Sequence, residues 1–527
     1  MATAKRNATA PAPRRLDGVS GGLTLVRRGG TCDGREQHLD TVDARRSTQR
    51  ERTMMRSVLH YWMLWSALLA MPLTAAYAAT SGAPGPLRVH PSNPRYFTDG
   101  TKYPDGSLKA VYLTGSHTWN NLVDMGTNDP PKAFDFDAYL DFLQRNNHNF
   151  IRLWTWDSVT TDPDPSGATR LVAPLPWART GPGKALDGKP KFDLTKFNPA
   201  YFERLRTRVA AAGRRDLYVS VMLFEGWGLT RGNRRPPNPG WAWRGHPFHP
   251  ENNINGINAG VDADGLTGEV HSLANPIVNA IQATYIRKVI DTVNDLDNVL
   301  YEVINEGGQK AWDWWVVNQV HDYEKTKPKQ HPVGITGHGA ERLDSMLASP
   351  ADWVSPGRTD GYGGDPPAWD EKKVSLLDTD HGAAGNVAWV WKSLLRGHNP
   401  LFMDAYDGSV SPVEARCEPV RRAMGHSRRL AERVTLAAMT PRDALASTAY
   451  CLANPGKEYL VYLPNGGEVT MDLSGATGML VAEWFNPRTG APTNAGTVEG
   501  GAKRSLRAPF EGDAVLHLEA PKGGDQP

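Results

Sequence analysis

The chain has 527 residues, 40% of them hydrophobic and 22% charged, with a formal net charge of +2. That composition gives a globular protein with a sizeable core, too long for one ordinary domain, and the near-neutral charge excludes a dedicated nucleic-acid binder. The balance is uneven, because residues 1–53 carry 11 Lys/Arg against 6 Asp/Glu, and the chain without residues 1–78 stands at about −4.

Residues 1–53 are polar, rich in Arg and Gly and without periodicity. They read as a disordered extension, or as a mis-assigned start ahead of Met54 or Met55. Residues 54–78 fit an export signal: Arg56, an apolar run from Val58 to Leu73, then small residues ending Ala76-Tyr77-Ala78. The run is short for a bilayer span of roughly 20 residues. The expectation is a cleaved leader, a periplasmic or extracellular protein, and no stable membrane insertion after cleavage.

From about residue 107, short apolar runs alternate with helical patterns. "LKAVYLTGSHTW" is the first strand, and "NFIRLWTW" follows the helical "FDFDAYLDFLQRNN". "DLYVSVMLFEGW" follows "NPAYFERLRTRVAAAGRR", and "NVLYEVINEGG" follows a helix with Ile277, Ile281, Tyr285, Val289 and Val293 at helical spacing. "HPVGITGH", "ADWVSPGR", "KVSLLDTDHG" and "PLFMDAY" complete eight strands. Repeated strand–helix units imply parallel strands. Eight of them predict an α/β fold of the (β/α)8 TIM-barrel type over residues 87–440, with its working face at the C-terminal strand ends. An open doubly wound sheet is the alternative; "TGSHTW" lacks the glycine-rich phosphate turn that a dinucleotide-binding version needs.

Two connections, 157–200 and 225–275, are long enough to read as binding walls or lids. "VDADGLTGE" in the second lacks full EF-hand spacing and reads as an acidic turn. After residue 440 only short alternating strands remain, as in "EYLVYLPNGGEVTMDLSG" and "DAVLHLEA". They predict a small β-sandwich over residues 441–522. Cys417 and Cys451 are the two cysteines left after a leader is removed, so a disulfide is open to them. No Cys/His cluster has zinc spacing, and no cofactor is expected.

The chemistry gathers at the strand ends. Glu306 ends strand four, while Asp378 and Asp380 share one face of strand seven by the period-two rule. Carboxylates on strands four and seven oppose each other across a barrel mouth, the arrangement glycosidic hydrolysis requires. Asn305 could hydrogen-bond a sugar hydroxyl, and the glycines after Glu306 would keep the space above it open. A helix-start carboxylate favoured by the helix dipole is the plain reading of Glu306. "DTDH" as a metal site lacks a third ligand. Seventeen Trp suit stacking on sugars, although core packing explains any single one equally well.

The barrel resembles the clan of retaining glycoside hydrolases with an Asn-Glu pair on strand four. Over the chain from about residue 90, "GSHTWNN", "NNINGINAG", "DTDHG", "WKSLLRGHNPLFMDAY" and "YCLANPGKEYLVYLP" resemble bacterial apiosidase-like or cellulase-like proteins, whose C-terminal module is collagen-binding-like. The resemblance implies an oligo- or polysaccharide substrate, Glu306 as acid/base and Asp380 as nucleophile. Asp stands where the clan has Glu, shorter by about 1.5 Å; a wider carboxylate gap would favour inversion over retention. It also implies an Arg near the nucleophile, matching Arg152, which could hold Asp380 ionised or pair with Glu302. His117 and Trp119 at strand one, Trp154 and Trp156 at strand two, His338 at strand five, and His381 are candidate sugar contacts or walls. Glu225 is the second candidate acid, and Asp378 and Asp404 are candidate supports. Two rival functions remain: a non-catalytic carbohydrate-binding barrel, and a collagen-binding protein.

Overall fold

The computed structural model describes residues 85–161, 166–230, 240–260, 268–337, 342–357, 361–378, 386–406 and 412–521. All lie in one compact unit, residues 76–527. The leader segment 54–78, His338, Asp380 and His381 fall outside the described residues, as does most of "VDADGLTGE". No helix among the described residues is long and apolar enough to cross a membrane.

The eight predicted strands all form. They are β1 Gly115–His117, β2 Phe150–Leu153, β3 Tyr218–Glu225, β4 Val299–Asn305, β5 Val333–Thr336, β6 Trp353–Ser355, β7 Val374–Asp378 and β8 Asn399–Met403. They make one parallel sheet in the order β1-β8-β7-β6-β5-β4-β3-β2, a nearly closed barrel. The helices longer than five residues are α1 Phe136–Arg145, α2 Pro199–Gly213, α3 Pro276–Val293, α4 Lys310–Glu324, α5 Arg342–Leu347, α6 Val387–Leu395 and α7 Pro412–Ala431, and a short one covers Trp241–Gly245. Local chemistry sets their starts. Asp135 caps α1 by accepting the Ala138 N–H at 3.0 Å. Asn198 and Asn275 cap α2 and α3, each with Pro in the first turn.

The lower barrel is filled by Leu113, Phe150, Leu300, Trp353, Val374, Leu376 and Leu401, joined by Leu87 and Phe97 from an N-terminal ribbon. Gly334 is required there, since a Cβ would lie 1.9 Å from the Trp353 ring. The remaining gap, between β1 and β2, is bridged by Asn149. Its backbone N–H reaches Thr114 O at 3.0 Å. Its side chain accepts from Thr114 N at 2.9 Å and donates to Tyr112 O at 2.8 Å.

The segments expected as long loops carry structure of their own. Asp124–Gly126, Thr160–Thr161 and Arg170–Ala173 form a three-stranded antiparallel sheet, and Trp177–Lys184 pairs with Pro190–Phe197 as a hairpin.

The C-terminal domain has β9 Cys451–Asn454, β10 Glu458–Leu463, β11 Glu468–Asp472, β12 Met479–Phe485, β13 Pro492–Glu499, β14 Lys503–Arg507 and β15 Ala514–Glu519. Thr440–Pro441, β9, β10, β15, β12 and β13 make a six-stranded antiparallel sheet; β11 and β14 form a separate ribbon. Alternation along β10 explains the packing. Tyr459, Val461 and Leu463 face a core shared with Val469 and Met471 of the ribbon. Leu460 and Tyr462 face Trp391, Leu394 and Leu395 of α6. The sheet is therefore covered on one side by its ribbon and on the other by the barrel's helices. Cys417 lies in the barrel core and Cys451 in the C-terminal core; both are buried thiols, and no disulfide joins them.

Candidate active site

The alternation that turns Leu300 into the lower barrel also turns Glu302 inward two residues later, and β7 does the same with Leu376 and Asp378. Both carboxylates are buried, and Arg152 of β2 lies between them. Its Nε donates to Glu302 Oε2 at 2.8 Å, its Nη1 to Asp378 Oδ2 at 2.7 Å, and its Nη2 to Glu302 Oε1. Thr336 of β5 donates its hydroxyl to that same Glu302 oxygen. His117 Nε2 lies 3.1 Å from Asp378 Oδ2. A planar guanidinium is matched to this two-sided grip. Burial pulls the Arg152 pKa down, but the charges of Glu302 and Asp378 outweigh it and hold the group above its ordinary value.

Arg152 thus makes the buried pair with Glu302, and its other arm holds Asp378. Asp404, the other candidate support, is ion-paired with Arg421 of α7; its backbone N–H reaches His117 O at 2.7 Å. The expected walls Trp154 and Trp156 are 3% and 5% exposed. His117 stacks on Trp154 with ring centroids 5.8 Å apart, and the Arg152 guanidinium lies 4.9 Å from the same ring. Trp156 donates its indole N–H to Trp119 O at 2.7 Å and meets Trp227 edge-on. Trp119 and Trp227 are the partly exposed indoles here. Trp227 follows the end of β3 by two residues, a position that could have marked it.

Glu225 and Asn305 end β3 and β4 as register partners. The Asn305 amide is held at both ends: Nδ2 donates to Glu225 Oε1 at 3.4 Å, and Arg152 Nη2 is 3.5 Å from Oδ1. Glu225 also accepts the N–H groups of Trp227 at 2.8 Å and Gly228 at 3.1 Å. Its own N–H points at Asp157 Oδ1, 3.3 Å away, and Asp157 Oδ2 is 3.0 Å from His271 Nε2. Burial, then the charge of Asp157, push the Glu225 carboxyl up to about 8 against the pull of its N–H donors. Burial raises Asp157 as well, against the His271 hydrogen bond. Asp157 and His271 come from the two long connections and carry no local pattern that marks them in the sequence.

Glu306 follows at once, half-buried, with φ of 46°. A non-glycine residue in this left-handed region is uncommon, and such residues cluster at functional sites. The following glycines do not simply leave space above it. A Cβ on Gly307 would lie 2.7 Å from Gly226 Cα, and one on Gly226 would lie 2.5 Å from Gly307 Cα. The ends of β3 and β4 pack backbone against backbone. At Gly308, φ is 79° and a Cβ would meet Asp313 Oδ1 at 1.9 Å. Asp313 is the acidic residue in the first turn of α4, so the helix-start role expected as the plain reading of Glu306 belongs to Asp313.

Residues 172–352 match a family model described as a domain of unknown function, DUF6298. Residues 439–519 match one described as "Putative collagen-binding domain of a collagenase". A solved structure of a "putative glycoside hydrolase" from Bacteroides vulgatus ATCC 8482 is 14% identical, with a TM-score of 0.54 over 84% of this chain and 83% of that one. A glycoside hydrolase family 5 protein from the same strain is 12% identical, with a TM-score of 0.52 over 82% of this chain and 94% of that one. These likenesses establish the barrel with its C-terminal domain. No curated protein matches the chain.

Proposed function

We propose that the protein is an exported glycoside hydrolase that cleaves an oligo- or polysaccharide with two carboxylates, Glu306 as acid/base and Asp380 as nucleophile. The observation that supports this most is the conformation of Glu306, a carboxylate in strained left-handed backbone at the C-terminal end of β4. That end of the barrel is where such folds place their chemistry. Asn305 beside it is already oriented by Glu225 and Arg152. Asp380 follows the end of β7 by two residues. Asp378 is already engaged by Arg152 and His117, which leaves Asp380 for the substrate. In the retaining reading, Glu306 protonates the leaving oxygen while Asp380 attacks the anomeric carbon; Glu306 then activates the water that releases the sugar. Within this class the sequence favours an apiosidase-like or cellulase-like enzyme. The C-terminal domain acts as a structural cap, because its main sheet spends both faces on internal packing.

The test is a glycan panel read by reducing-end release. Glu306→Gln and Asp380→Asn should each lower turnover by at least ~10³-fold with an unchanged circular-dichroism spectrum. Azide added to Asp380→Gly should give a glycosyl azide of inverted configuration. Activity near wild type in Asp380→Asn would transfer the nucleophile's role to Asp378. Activity near wild type in Glu306→Gln would leave Glu225 as the acid.

A further inference from the structure

We propose that Asp157 is a positioning residue of the active site: gripped by His271, it fixes the end of β3 and, through it, the turn that carries Glu306. The role follows only if Glu306 is the acid proposed above.

Backbone pairing between β2 and β3 ends at Leu153 and Val221, so β3 runs on to Glu225 without β2 beside it. Asp157, four residues past the end of β2, takes over there. A buried main-chain N–H needs an acceptor, and Asp157 Oδ1 supplies one to the Glu225 N–H at 3.3 Å. The next N–H along, that of Gly226, goes to Asn305 O of β4 at 2.8 Å. Gly226 also packs against Gly307, so a shift at the end of β3 is passed to the residue that follows Glu306.

The other oxygen of Asp157 faces His271 Nε2 at 3.0 Å, and the two side chains are 14% and 2% exposed. His271 ends a short turn, Gly268–His271, that is fastened to α3 on both sides of it. Gln282 donates to Val270 O at 2.7 Å, and Asn279 to Ser272 O at 2.8 Å. Gln282 in turn accepts the indole N–H of Trp312 in α4 at 3.0 Å. The imidazole lies between Phe224 and Trp312, with ring centroids 5.8 and 5.0 Å away. The main-chain carbonyl of His271 accepts the Gln309 N–H at 3.0 Å, three residues after Glu306. The turn is therefore held before Glu306 by Gly226 on Asn305, and behind it by His271 on Gln309. Asp157 joins these two anchors, with one oxygen on β3 and the other on the residue that holds Gln309. It comes from the first long connection and His271 from the second, so both insertions converge on the placement of one carboxylate.

The experiment uses the full chain with Asp157→Ala, Asp157→Asn and His271→Phe. Asn keeps an acceptor for the Glu225 N–H. Phe keeps a ring between Phe224 and Trp312 while removing the grip on Asp157. Each variant is assayed on the glycan that the wild type cleaves, and on the dinitrophenyl glycoside of the sugar released, whose leaving group needs little protonation. Asp157→Ala and His271→Phe should lower kcat/KM at least about tenfold on the glycan and less than about threefold on the aryl glycoside. Asp157→Asn should recover most of the glycan activity. Equal losses on both substrates, no loss on either, an Asn variant no better than Ala, or failure of both Asp157→Ala and His271→Phe to fold would place the pair in the scaffold and overturn the proposal. Glu306→Gln, run alongside, separates the two ideas. If it lacks the same preference for the aryl glycoside, Glu306 is not the acid and the proposed function falls first. If it shows that preference while the Asp157 and His271 variants do not, the acid stands and the positioning role fails.

Discussion

Glu225 is an acid placed where water cannot reach it, and its consequences extend beyond any part in catalysis. Its carboxyl stands at about 8 in the folded chain against an ordinary value of 4.5. Between those values the folded state keeps a proton that the unfolded state has lost. Stability from this group is complete below pH 4.5 and is lost as the pH rises through 8, with a slope of at most about 1.4 kcal/mol per pH unit. Glu225→Gln carries no such proton. Its melting temperature should fall less than that of the wild type between pH 5 and 8, as measured by thermal scans at fixed ionic strength. A difference between the two proteins that does not change with pH would show that Glu225 is ionised in the folded state. Arg152 shows the opposite case. It is fully charged, and its worth lies in leaving neither Glu302 nor Asp378 as an unpaired buried anion.

At the level of elements, the ends of β3 and β4 behave as one piece because Gly226 and Gly307 touch. Gly307→Ala would force a Cβ to within 2.7 Å of Gly226 Cα. Backbone must then move, and Glu306 is its immediate neighbour. Since displacements near 1 Å can cost about 10²-fold in rate, kcat should drop by about that factor, and the melting temperature should fall as well because the clash is with backbone. A loss confined to stability would place the glycines in the scaffold alone. Such close approaches are visible only in three dimensions, whereas the strands that make them could be read directly. β4 is an apolar run broken only by Glu302 and followed by Glu-Gly-Gly, and most barrel strands lie in short apolar runs of that kind. The helix before it forms as its spacing predicts, although the apolar positions mark its buried face only in part. Ile277, Ile281, Tyr285, Val289 and Val293 step by four, which drifts around a helix of 3.6 residues per turn. Ile277 is 62% exposed, and the buried face starts instead at Val278. The insertions read as loops in the sequence because their short strands are polar or carry Gly and Pro, as in "WARTGPGK". For the same reason Asp157 and His271 escaped notice: only tertiary folding brings them to Glu225, and neither lies in a periodic element.

For the molecule as a whole, the six-stranded sheet is as much a part of the barrel's outer layer as of its own domain. Ending the chain at residue 441 would uncover Trp391, Leu394 and Leu395 together with Tyr96 and Tyr112. An apolar face of that kind drives aggregation. The truncated protein should be recovered in the insoluble fraction, or melt well below the full chain if soluble. A soluble barrel with full activity would show that the domain is detachable. The barrel has one more point of weakness, at Asn149. Elsewhere consecutive strands are zipped by backbone ladders, but β1 and β2 are latched by Asn149, through its side-chain amide and its own N–H, and by His148, whose Nδ1 accepts from Ser116 N at 3.2 Å. A cylinder fastened along one line opens there first. Amide protons of residues 114–116 and 149–151 should exchange with deuterium sooner than those of β4, and Asn149→Ala should widen that difference. The chain would then loosen as a strip unrolling from its two edges, and because Arg152 stands on β2, one of those edges, its grip on Glu302 and Asp378 would be among the first contacts to go.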